Sequence, residues 1–431
     1  MLSNTIERLK PLARRIWRSK FYASALGKLD IAAGKVVRPR AATDGFTVVM
    51  SPAGDGNIGD SAMLYSFIEQ TQGPVKVMIK LPRDPDESAL VQDLRRRFGD
   101  RLTFVSARPF YRSMPPVRFL ATLRFAKELD GASRFFVHGA DTIDGGNTSA
   151  SLAAWSLCRL AQAAGVEVSV LGFSWRDEVP KVVASAMSRV SKSGALYPRD
   201  GLSADRLLSS GADQVVRAAD MAFSLSSEDE PPAYVRTWLK ERAEKNERFA
   251  ILNVSGLIEN KFSQSEEVRE VTKALHSIGF KIVFLPHVIR DVDSDLTVCR
   301  AMSAQYGRTG DLLVDTQLTP LQVKHMTRVA ELVVTGRMHL SILSLTNATP
   351  VIALATAGKV EGLFGLFGLT HLVVASEPGY GAEIASKIGD VARNRDGISG
   401  QIRSALPSVR ELSMKNFVSL HSMRPAVETE R

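Results

Sequence analysis

Five basic or imidazole side chains each follow a short apolar run that is predicted to form a β-strand. They are Arg199, His287, Arg337, His339 and Lys359. A strand end followed by a helix start binds anions when an arginine or lysine is added, because backbone N–H groups and a fixed positive charge then converge. Any one of these residues could instead be a surface ion pair, a helix cap or a solvated helix end. Together they predict a site for a substrate that carries phosphate or carboxylate groups.

A glycine-rich loop, SPAGDGNIGDSAML at residues 51–64, has the G-x-G-x-x-G spacing of a dinucleotide-binding turn. The glycines are Gly54, Gly56 and Gly59. A nicotinamide site also needs an acidic residue at the end of the next strand to bind the ribose. Here that strand ends at Lys80, and the first acid, Asp84, lies beyond a proline. Because Arg83 would suit a 2′-phosphate, the loop fits NADP, a tight turn without a ligand, or a sugar substrate.

Acidic and amide side chains form a second group of candidates. In the glycine-rich loop, we expect Asn57 to bond across the turn and Asp60 to cap the following helix, and a carboxylate there also suits a sugar hydroxyl. Another loop, HGADTIDGGN, places Asp141 and Asp144 after a strand. The run DVDSD at 291–295 has the composition of a metal site, but we expect it to cap the helix that contains LTVCRAM.

The composition predicts a soluble protein of two domains. The chain has 431 residues, more than one hydrophobic core usually supports, with 45% hydrophobic and 23% charged residues. No apolar run approaches the roughly 18 to 20 residues of a transmembrane helix, and the charged first residues lack the apolar region of a secretion signal. Only two cysteines occur, Cys158 and Cys299. We therefore predict a cytoplasmic location without a disulfide framework or a zinc site.

The net charge of +9 is concentrated in the first 130 residues. Near the N-terminus, Arg14 and Arg18 alternate with Trp17 and Phe21, and a second basic group occupies residues 95–127. These groups are either solvated helix faces or surfaces that attract anionic lipid or a phosphate-bearing substrate. No nucleic-acid-binding module is recognisable, and few aromatic residues lie between the basic ones. We therefore predict no nucleic-acid partner.

Strands and helices alternate along the chain, which predicts an α/β protein with two Rossmann-like domains. The predicted strands are 46–51, 75–80, 102–105, 134–138, 167–173 and 214–217, then 249–254, 280–285, 311–314, 331–335, 350–354 and 371–374. The predicted units are a basic N-terminal arm (1–45), a first domain on the acceptor side (46–225), a linker (226–247), a second domain on the donor side (248–407) and a C-terminal tail (408–431). Because ligands collect at the carboxyl ends of parallel strands, we expect the active site in the cleft between the domains.

An ordered set of motifs resembles the polysaccharide pyruvyl transferase family. The motifs are GNIGDSAML, GADTIDGG, LGFSW, YPRDGLSADRL, AADMAFSL, FLPHVIRDVDSD, VVTGRMHLSILSL and PVIALATAGKVEGLFG, between about residues 46 and 375. The most specific feature is G-R-x-H followed by a proline-led strand and a lysine, and the early N-x-G-D is also characteristic. The loop VHGADTIDGG departs from the run of glycines that is commoner in the family, which bears on the geometry of that loop and on the choice of acceptor.

The resemblance implies a GT-B-like fold, in which two Rossmann-like domains face each other across a cleft. It implies transfer of pyruvate from phosphoenolpyruvate to two hydroxyls of one sugar residue, as a cyclic ketal, with release of phosphate. The acceptor would be a bacterial surface polysaccharide or its lipid-linked precursor, and no metal or further cofactor is implied. The implied roles are catalysis by His339, His287 and Asp60, donor binding by Arg199, Arg337 and Lys359, and acceptor binding by Asn57, Gly59, Asp141 and Asp144.

Two other functions fit the same pattern. A glycosyltransferase of this architecture would use a nucleotide sugar, and Glu361 would then bind its ribose. A binding or regulatory protein would keep the fold without the chemistry, although it would have no need of Arg199, Arg337 and His339. For a transferase that acts on a lipid-linked glycan, the basic amphipathic N-terminus would hold the protein on the inner face of the cell membrane.

Overall fold

The computed structural model describes residues 20–82, 84–111, 115–291, 294–355 and 358–421. The first half of the chain forms a six-stranded sheet from β1 (Phe46–Gly54), β2 (Val75–Lys80), β3 (Leu102–Ser106), β4 (Ala132–Ala140), β5 (Glu167–Phe173) and β6 (Ala195–Pro198). The spatial order is β3-β2-β1-β4-β5-β6, and all neighbours are parallel. Because the order reverses at β1, the loops after β1 and β4 flank a crevice at the carboxyl edge, where ligands bind in such sheets.

The second half forms another parallel sheet of six strands. They are β7 (Phe249–Asn253), β8 (Lys281–Phe284), β9 (Leu312–Leu313), β10 (Leu332–Thr335), β11 (Val351–Ala355) and β12 (Val373–Ala375). Their order is β12-β11-β10-β7-β8-β9, which repeats the pattern of the first sheet. The prediction of an α/β protein with two Rossmann-like sheets is therefore confirmed.

The last strand of the first sheet differs from the prediction. Residues 214–217, predicted as a strand, make a single parallel bridge between Val215 and Leu196. The sixth strand is instead the short run that precedes Arg199. The β-branched residues of 214–217 lie beside an edge strand, where a partner is available on one side only.

Helices follow most of the strands. They are α1 (Lys20–Val37), α2 (Ile58–Gln70), α3 (Ala89–Phe98), α4 (Pro115–Glu128), α5 (Thr148–Ala163), α6 (Lys181–Ser191), α7 (Gly201–Ser209), α8 (Ala233–Glu244), α9 (Gly256–Glu259), α10 (Ser265–Ser277), α11 (Asp295–Tyr306), α12 (Pro320–Val329), α13 (Met338–Leu345), α14 (Lys359–Gly365), α15 (Tyr380–Arg393), α16 (Arg395–Met414) and α17 (Val418–His421). Among the described helices, none has the length and hydropathy of a membrane-spanning segment.

The hydrophobic core joins the two sheets. Val48 and Phe135 point to one face of the first sheet and belong to a cluster confined to the first domain. Their neighbours Val49 and Phe136 point to the other face, since successive strand residues alternate, and belong to a cluster that continues to Val333 in the second sheet. A continuous apolar interface of this kind opposes independent motion of the domains.

The predicted N-terminal arm contains part of the first domain. Helix α1 packs on α4 and α5, and its Asp30 is fully buried. The Asp30 carboxylate accepts hydrogen bonds from Arg118 at 2.8 Å and from Thr122 at 2.7 Å. The basic residues that we predict to contact lipid, Arg14 and Arg18, lie outside the described residues.

The predicted linker and tail are also parts of the folded protein. Residues 226–247 include α8, whose Trp238 is buried and donates to the Gly310 carbonyl at 2.8 Å. The boundary predicted at residue 407 falls inside α16, because apolar residues recur there at helical spacing and are buried. Beyond α16 the chain returns to the first domain, where Asn416 donates to the Ala219 carbonyl at 2.9 Å. Residues 422–431 of the predicted tail lie outside the described residues.

Candidate active site

The glycine-rich loop after β1 pairs with the second domain through its backbone. Asn57 forms an antiparallel bridge with Val288. The Ile58 N–H donates to the His287 carbonyl at 3.2 Å, and the Ile289 N–H donates to the Gly56 carbonyl at 2.8 Å. The carboxyl edges of the two sheets are thereby held face to face.

Two glycines of this loop are required by the close approach of the second domain. Gly56 has a φ of +87°, and a Cβ at this position would lie 3.0 Å from the Ile289 carbonyl carbon. A Cβ on Gly59 would lie 2.7 Å from Cγ of the His339 imidazole, closer than atoms can pack. These contacts explain much of the G-x-G-x-x-G spacing without a dinucleotide.

A cavity of about 290 Å³ lies where the two domains meet. Eight of the ten predicted site residues line it, and the two exceptions are Gly59 and Asp144. The eight are Asn57, Asp60, Asp141 and Arg199 from the first domain, and His287, Arg337, His339 and Lys359 from the second. Lys80 and Arg290, which we did not predict, also line this cavity.

Asp144 belongs to the scaffold of the loop after β4. Its buried carboxylate accepts from Arg176 Nε at 3.0 Å and Nη2 at 2.9 Å, and from the Gly146 N–H at 3.0 Å. These bonds hold the loop together, and Asp144 is not among the residues that line the cavity. We therefore remove Asp144 from the predicted acceptor site.

Arg199 and Lys359 hold a common carboxylate across the domain boundary. Arg199 is buried and donates to Asp141 Oδ1 at 2.6 Å, to Ser174 Oγ at 2.8 Å and to Asp220 Oδ2 at 3.4 Å. Lys359 donates to the other oxygen of Asp141. Burial alone would raise the pKa of Asp141, but Arg199 and Lys359 lower it well below its ordinary value. Asp141 is therefore ionised and suited to accepting hydrogen bonds, and it is a weak base.

His339 lies beside a second buried carboxylate. Its Nε2 is 3.5 Å from Oδ2 of Asp220, which is 2% exposed. Burial alone would raise the pKa of Asp220, but His339 and Arg199 lower it below its ordinary value. The ionised carboxylate of Asp220 therefore lies beside the imidazole and is placed to orient it.

His287 is buried in the wall of the cavity, with neither ring nitrogen bonded to any described residue. Burial, His339 and Arg337 lower the pKa of His287 well below its ordinary value. The imidazole is therefore neutral near neutral pH and can exchange hydrogen bonds with a ligand. This differs from the predicted role of His287 as a second proton carrier, which a neutral, weakly basic ring does not suit.

Arg337 is fixed to the fully buried Asp295, with Nη2–Oδ1 at 2.5 Å and Nε–Oδ2 at 3.1 Å. Four further donors contact this carboxylate at 2.9 to 3.1 Å. They are Asn253 Nδ2 and the N–H groups of Gly256, His287 and Val288. The predicted capping role of 291–295 is therefore corrected for Asp295, because its carboxylate turns away from α11 and ties the ends of β7, β8 and β10 together.

Asn57 and Asp60 form a hydrogen-bonded pair at the opposite wall. Asn57 caps α2 through Oδ1, which accepts from the Gly59 N–H at 3.1 Å, so the capping role predicted for Asp60 belongs to Asn57. Its Nδ2 donates to Asp60 Oδ2 at 2.6 Å. Burial raises the pKa of Asp60 more than the nearby His339 and Lys80 lower it. A carboxyl with a raised pKa beside a histidine is suited to proton transfer.

The family model for polysaccharide pyruvyl transferases matches residues 57–358, about seven tenths of the chain. The chain belongs to this family. The match begins at Asn57, ends one residue before Lys359, and covers the other predicted site residues. No curated protein matches the sequence significantly.

Solved structures with similar folds place the transferase among GT-B-like proteins. Staphylococcus aureus MnaA, solved with UDP, has a TM-score of 0.57 at 10% identity, over 88% of this chain and 99% of that one. UDP-GlcNAc 2-epimerase from Neisseria meningitidis, bound to UDP-GlcNAc, has a TM-score of 0.50 at 11% identity, over 86% and 99%. Trehalose-6-phosphate synthase OtsA has a TM-score of 0.54 at 10% identity, over 88% and 100%. At these identities the likeness concerns the fold alone.

Sequence reasoning missed four polar residues of the transferase's site. Lys80 and Arg290 line the cavity, Asp220 contacts Arg199 and His339, and Asp295 holds Arg337. Signals for two of them were present, because Lys80 ends β2 and Asp220 lies in AADMAFSL. Nothing local distinguishes Asp295 from its acidic neighbours, since its partners come from three other segments.

Replacing Gly59 by alanine is expected to lower the transfer rate about a hundredfold, because the new methyl group displaces the His339 ring by about 1 Å. The rate is measured at saturating donor, beside thermal unfolding of both forms. Gly400→Ala is the matched control, because it lies inside α16 and its added Cβ would meet no atom of the described residues within 4 Å other than the backbone of its own helix and its chain neighbours. A Gly59→Ala variant as fast as Gly400→Ala would contradict a requirement for this position of His339.

Replacing Asp60 by asparagine is expected to remove activity and to stabilise the protein at pH 8. A raised pKa in the folded state means that ionising Asp60 destabilises the fold as the pH rises through that value. Below about pH 3 the carboxyl is mostly protonated whether folded or unfolded, so the two forms should then unfold alike. Urea unfolding at both pH values measures the difference, and equal stability at pH 8 would contradict the raised pKa.

Proposed function

We propose that the transferase moves the pyruvyl group of phosphoenolpyruvate onto two hydroxyls of one sugar residue and releases phosphate. The observation that carries this proposal is the convergence of five cations and two imidazoles on one small cavity. Phosphoenolpyruvate is small and highly charged, so a site with this much fixed positive charge suits it as a donor.

Donor binding is assigned to Arg199, Arg337 and Lys359. Arg199 and Lys359 lie close enough to contact the two oxygens of one carboxylate, that of Asp141. A carboxylate or phosphate of the donor would take similar contacts from them. Arginine presents a planar fork that matches both groups, and lysine adds a point charge.

The proposed reaction balances with donor and acceptor alone. The C2–O bond to phosphate breaks, and two sugar oxygens form bonds to C2. Of the two hydroxyl protons, one ends on C3, which becomes a methyl group, and the other ends on the released phosphate. The proposal therefore includes no cofactor.

Proton transfer is assigned to His339 and Asp60, which come from different domains and both line the cavity. Asp220 is a positioning residue, because its carboxylate contacts the His339 ring and lies outside the cavity lining. Neutral His287 is assigned a hydrogen bond to the substrates. Asn57 and ionised Asp141 are assigned to the sugar hydroxyls, since amide and carboxylate oxygens accept hydrogen bonds from them.

We further propose that the acceptor is a bacterial surface polysaccharide or its lipid-linked precursor, modified on the cytoplasmic face of the membrane. The basic amphipathic segment around Arg14, Trp17 and Arg18 supports this location by its charge pattern alone. Flotation with anionic liposomes, with and without residues 1–25, measures this, and equal binding by both forms would contradict it.

Thermal unfolding with phosphoenolpyruvate tests the donor assignment. We expect the unfolding temperature to rise with phosphoenolpyruvate, since a ligand that binds only the folded state stabilises it. UDP-GlcNAc and NADP serve as comparison ligands. The Lys359→Ala variant should lose the shift, whereas Lys387→Ala, which alters a lysine of α15 outside the cavity, should keep it.

The outcomes separate the candidate functions. A shift with phosphoenolpyruvate alone that depends on Lys359 supports pyruvyl transfer and justifies a search for the acceptor sugar. A shift with UDP-GlcNAc alone would overturn the donor assignment and favour the nucleotide-sugar glycosyltransferase.

A further inference from the structure

A second cavity, of about 220 Å³, adjoins the first on the side of the glycine-rich loop. The two cavities share the residues Pro52, Asn57, Asp60, Lys80 and Arg290. Asn57 and Asp60 are the residues proposed to contact the sugar, so the second cavity continues the acceptor side of the site.

Three cations line this second cavity: Lys80 at the end of β2, Arg108 shortly after β3, and Arg290 beyond β8. Lys80 and Arg290 also line the first cavity, whereas Arg108 lines only the second. All three differ from the proposed donor-binding cations Arg199, Arg337 and Lys359, each of which forms an ion pair with a carboxylate of the protein. Within the part of the chain that the structure describes, Lys80, Arg108 and Arg290 form no ion pair and no side-chain hydrogen bond. Among the described residues, therefore, no carboxylate lies within ion-pair distance of these three charged groups.

The two carboxylates that line the second cavity do not neutralise these cations. The Asp55 carboxylate accepts hydrogen bonds from Ser88 Oγ at 3.1 Å and from the Leu90 N–H at 3.0 Å, and these bonds hold it at the start of α3. Asp60 is held by Asn57. Like charges gathered in a concave site create a potential that attracts a small anion.

We propose that the second cavity binds a phosphate or diphosphate group of the acceptor, so that the transferase acts on a glycosyl phosphate or diphosphate. Lys80, Arg108 and Arg290 would contact the phosphate oxygens, while Asn57 and Asp60 contact the attached sugar. The donor's own phosphate is the other source of such a group. This inference rests on the proposed function, because it takes the first cavity as the donor site.

Isothermal calorimetry with inorganic pyrophosphate tests the inference on the full chain, both alone and saturated with phosphoenolpyruvate. We expect pyrophosphate to bind in both cases. The Arg108→Ala, Arg290→Ala double variant should bind pyrophosphate at least about tenfold more weakly, since each lost contact is charge-assisted. The Arg108→Ala variant alone, which alters a cation that lines only the second cavity, should change the affinity for phosphoenolpyruvate by less than about twofold. Arg236→Ala is the matched control, because this exposed arginine of α8 lies outside both cavities.

Two results would overturn the inference. If phosphoenolpyruvate displaces pyrophosphate, the cations bind the donor; if the double variant binds pyrophosphate like Arg236→Ala, the second cavity is not the site. Failure of phosphoenolpyruvate to bind, with pyrophosphate binding that still depends on Arg108 and Arg290, would overturn the proposed donor and support the anion site. Equal unfolding temperatures of the variants exclude misfolding as the cause.

Discussion

The His339→Gln variant is expected to transfer pyruvate about a thousandfold more slowly than the wild type, because glutamine cannot carry a proton. Glutamine is polar and of similar length, so the cavity and its cations should remain in place. The affinity for phosphoenolpyruvate, measured by calorimetry, should therefore change by less than about threefold.

Two further variants show whether this loss belongs to the chemistry. His325→Gln is the control, since this histidine of α12 lies outside both cavities, and it should keep the wild-type rate. Asp220→Asn should lower the rate about tenfold, because the imidazole loses the ionised carboxylate that lies beside it. A His339→Gln variant with a wild-type rate would overturn its role as a proton carrier.

The Asp295→Ala variant is expected to lower the free energy of unfolding by about 3–5 kcal/mol, the range for breaking a buried ion pair. The change removes a fully buried carboxylate that contacts Arg337 and three backbone N–H groups. These groups would then lie in the interior without the acceptor that they now share. Urea unfolding at constant m-value measures the difference.

Two further variants separate the contribution of the Asp295 charge from a general effect of mutating this segment. Asp295→Asn keeps one carbonyl oxygen but loses the charge, so we expect a smaller loss of stability. Asp291→Ala changes an exposed acid of the same segment and should leave the free energy of unfolding within about 0.5 kcal/mol of the wild type. If Asp295→Ala were as stable as Asp291→Ala, the carboxylate would not be a structural centre of the second domain.

The alternation of apolar runs and helical stretches predicted every strand of both sheets except the last strand of the first sheet, since buried parallel strands are continuous apolar runs. Polar residues at strand ends predicted most of the cavity lining, because those ends meet at one edge of a sheet. The same reasoning could not predict how the two domains pack against each other. The sequence around Gly59 does not indicate that His339, in the other domain, packs against this glycine.

The sequence could not predict the protonation and ion pairing of the site residues either, because both depend on burial and on neighbours that are distant in the chain. His287 follows a strand as predicted, but burial and two nearby cationic or imidazole groups keep its ring neutral. Asp144 follows β4 as predicted, but its ion pair with Arg176 gives it a structural role within the loop. In both cases the residue type and its place in the fold were right, and the surroundings decided the chemistry.

The return of the chain from the second domain to the first also has a consequence for the order of events during synthesis. Ser413 Oγ donates to the Asp220 carbonyl at 2.8 Å, across 193 positions of sequence. All six strands of the first sheet leave the ribosome long before Ser413 does, and domains otherwise tend to fold as they emerge. The segment that holds Asp220 beside His339 is therefore completed only after translation has passed α16. Nascent chains that contain both Rossmann-like sheets but lack α16 are expected to be inactive.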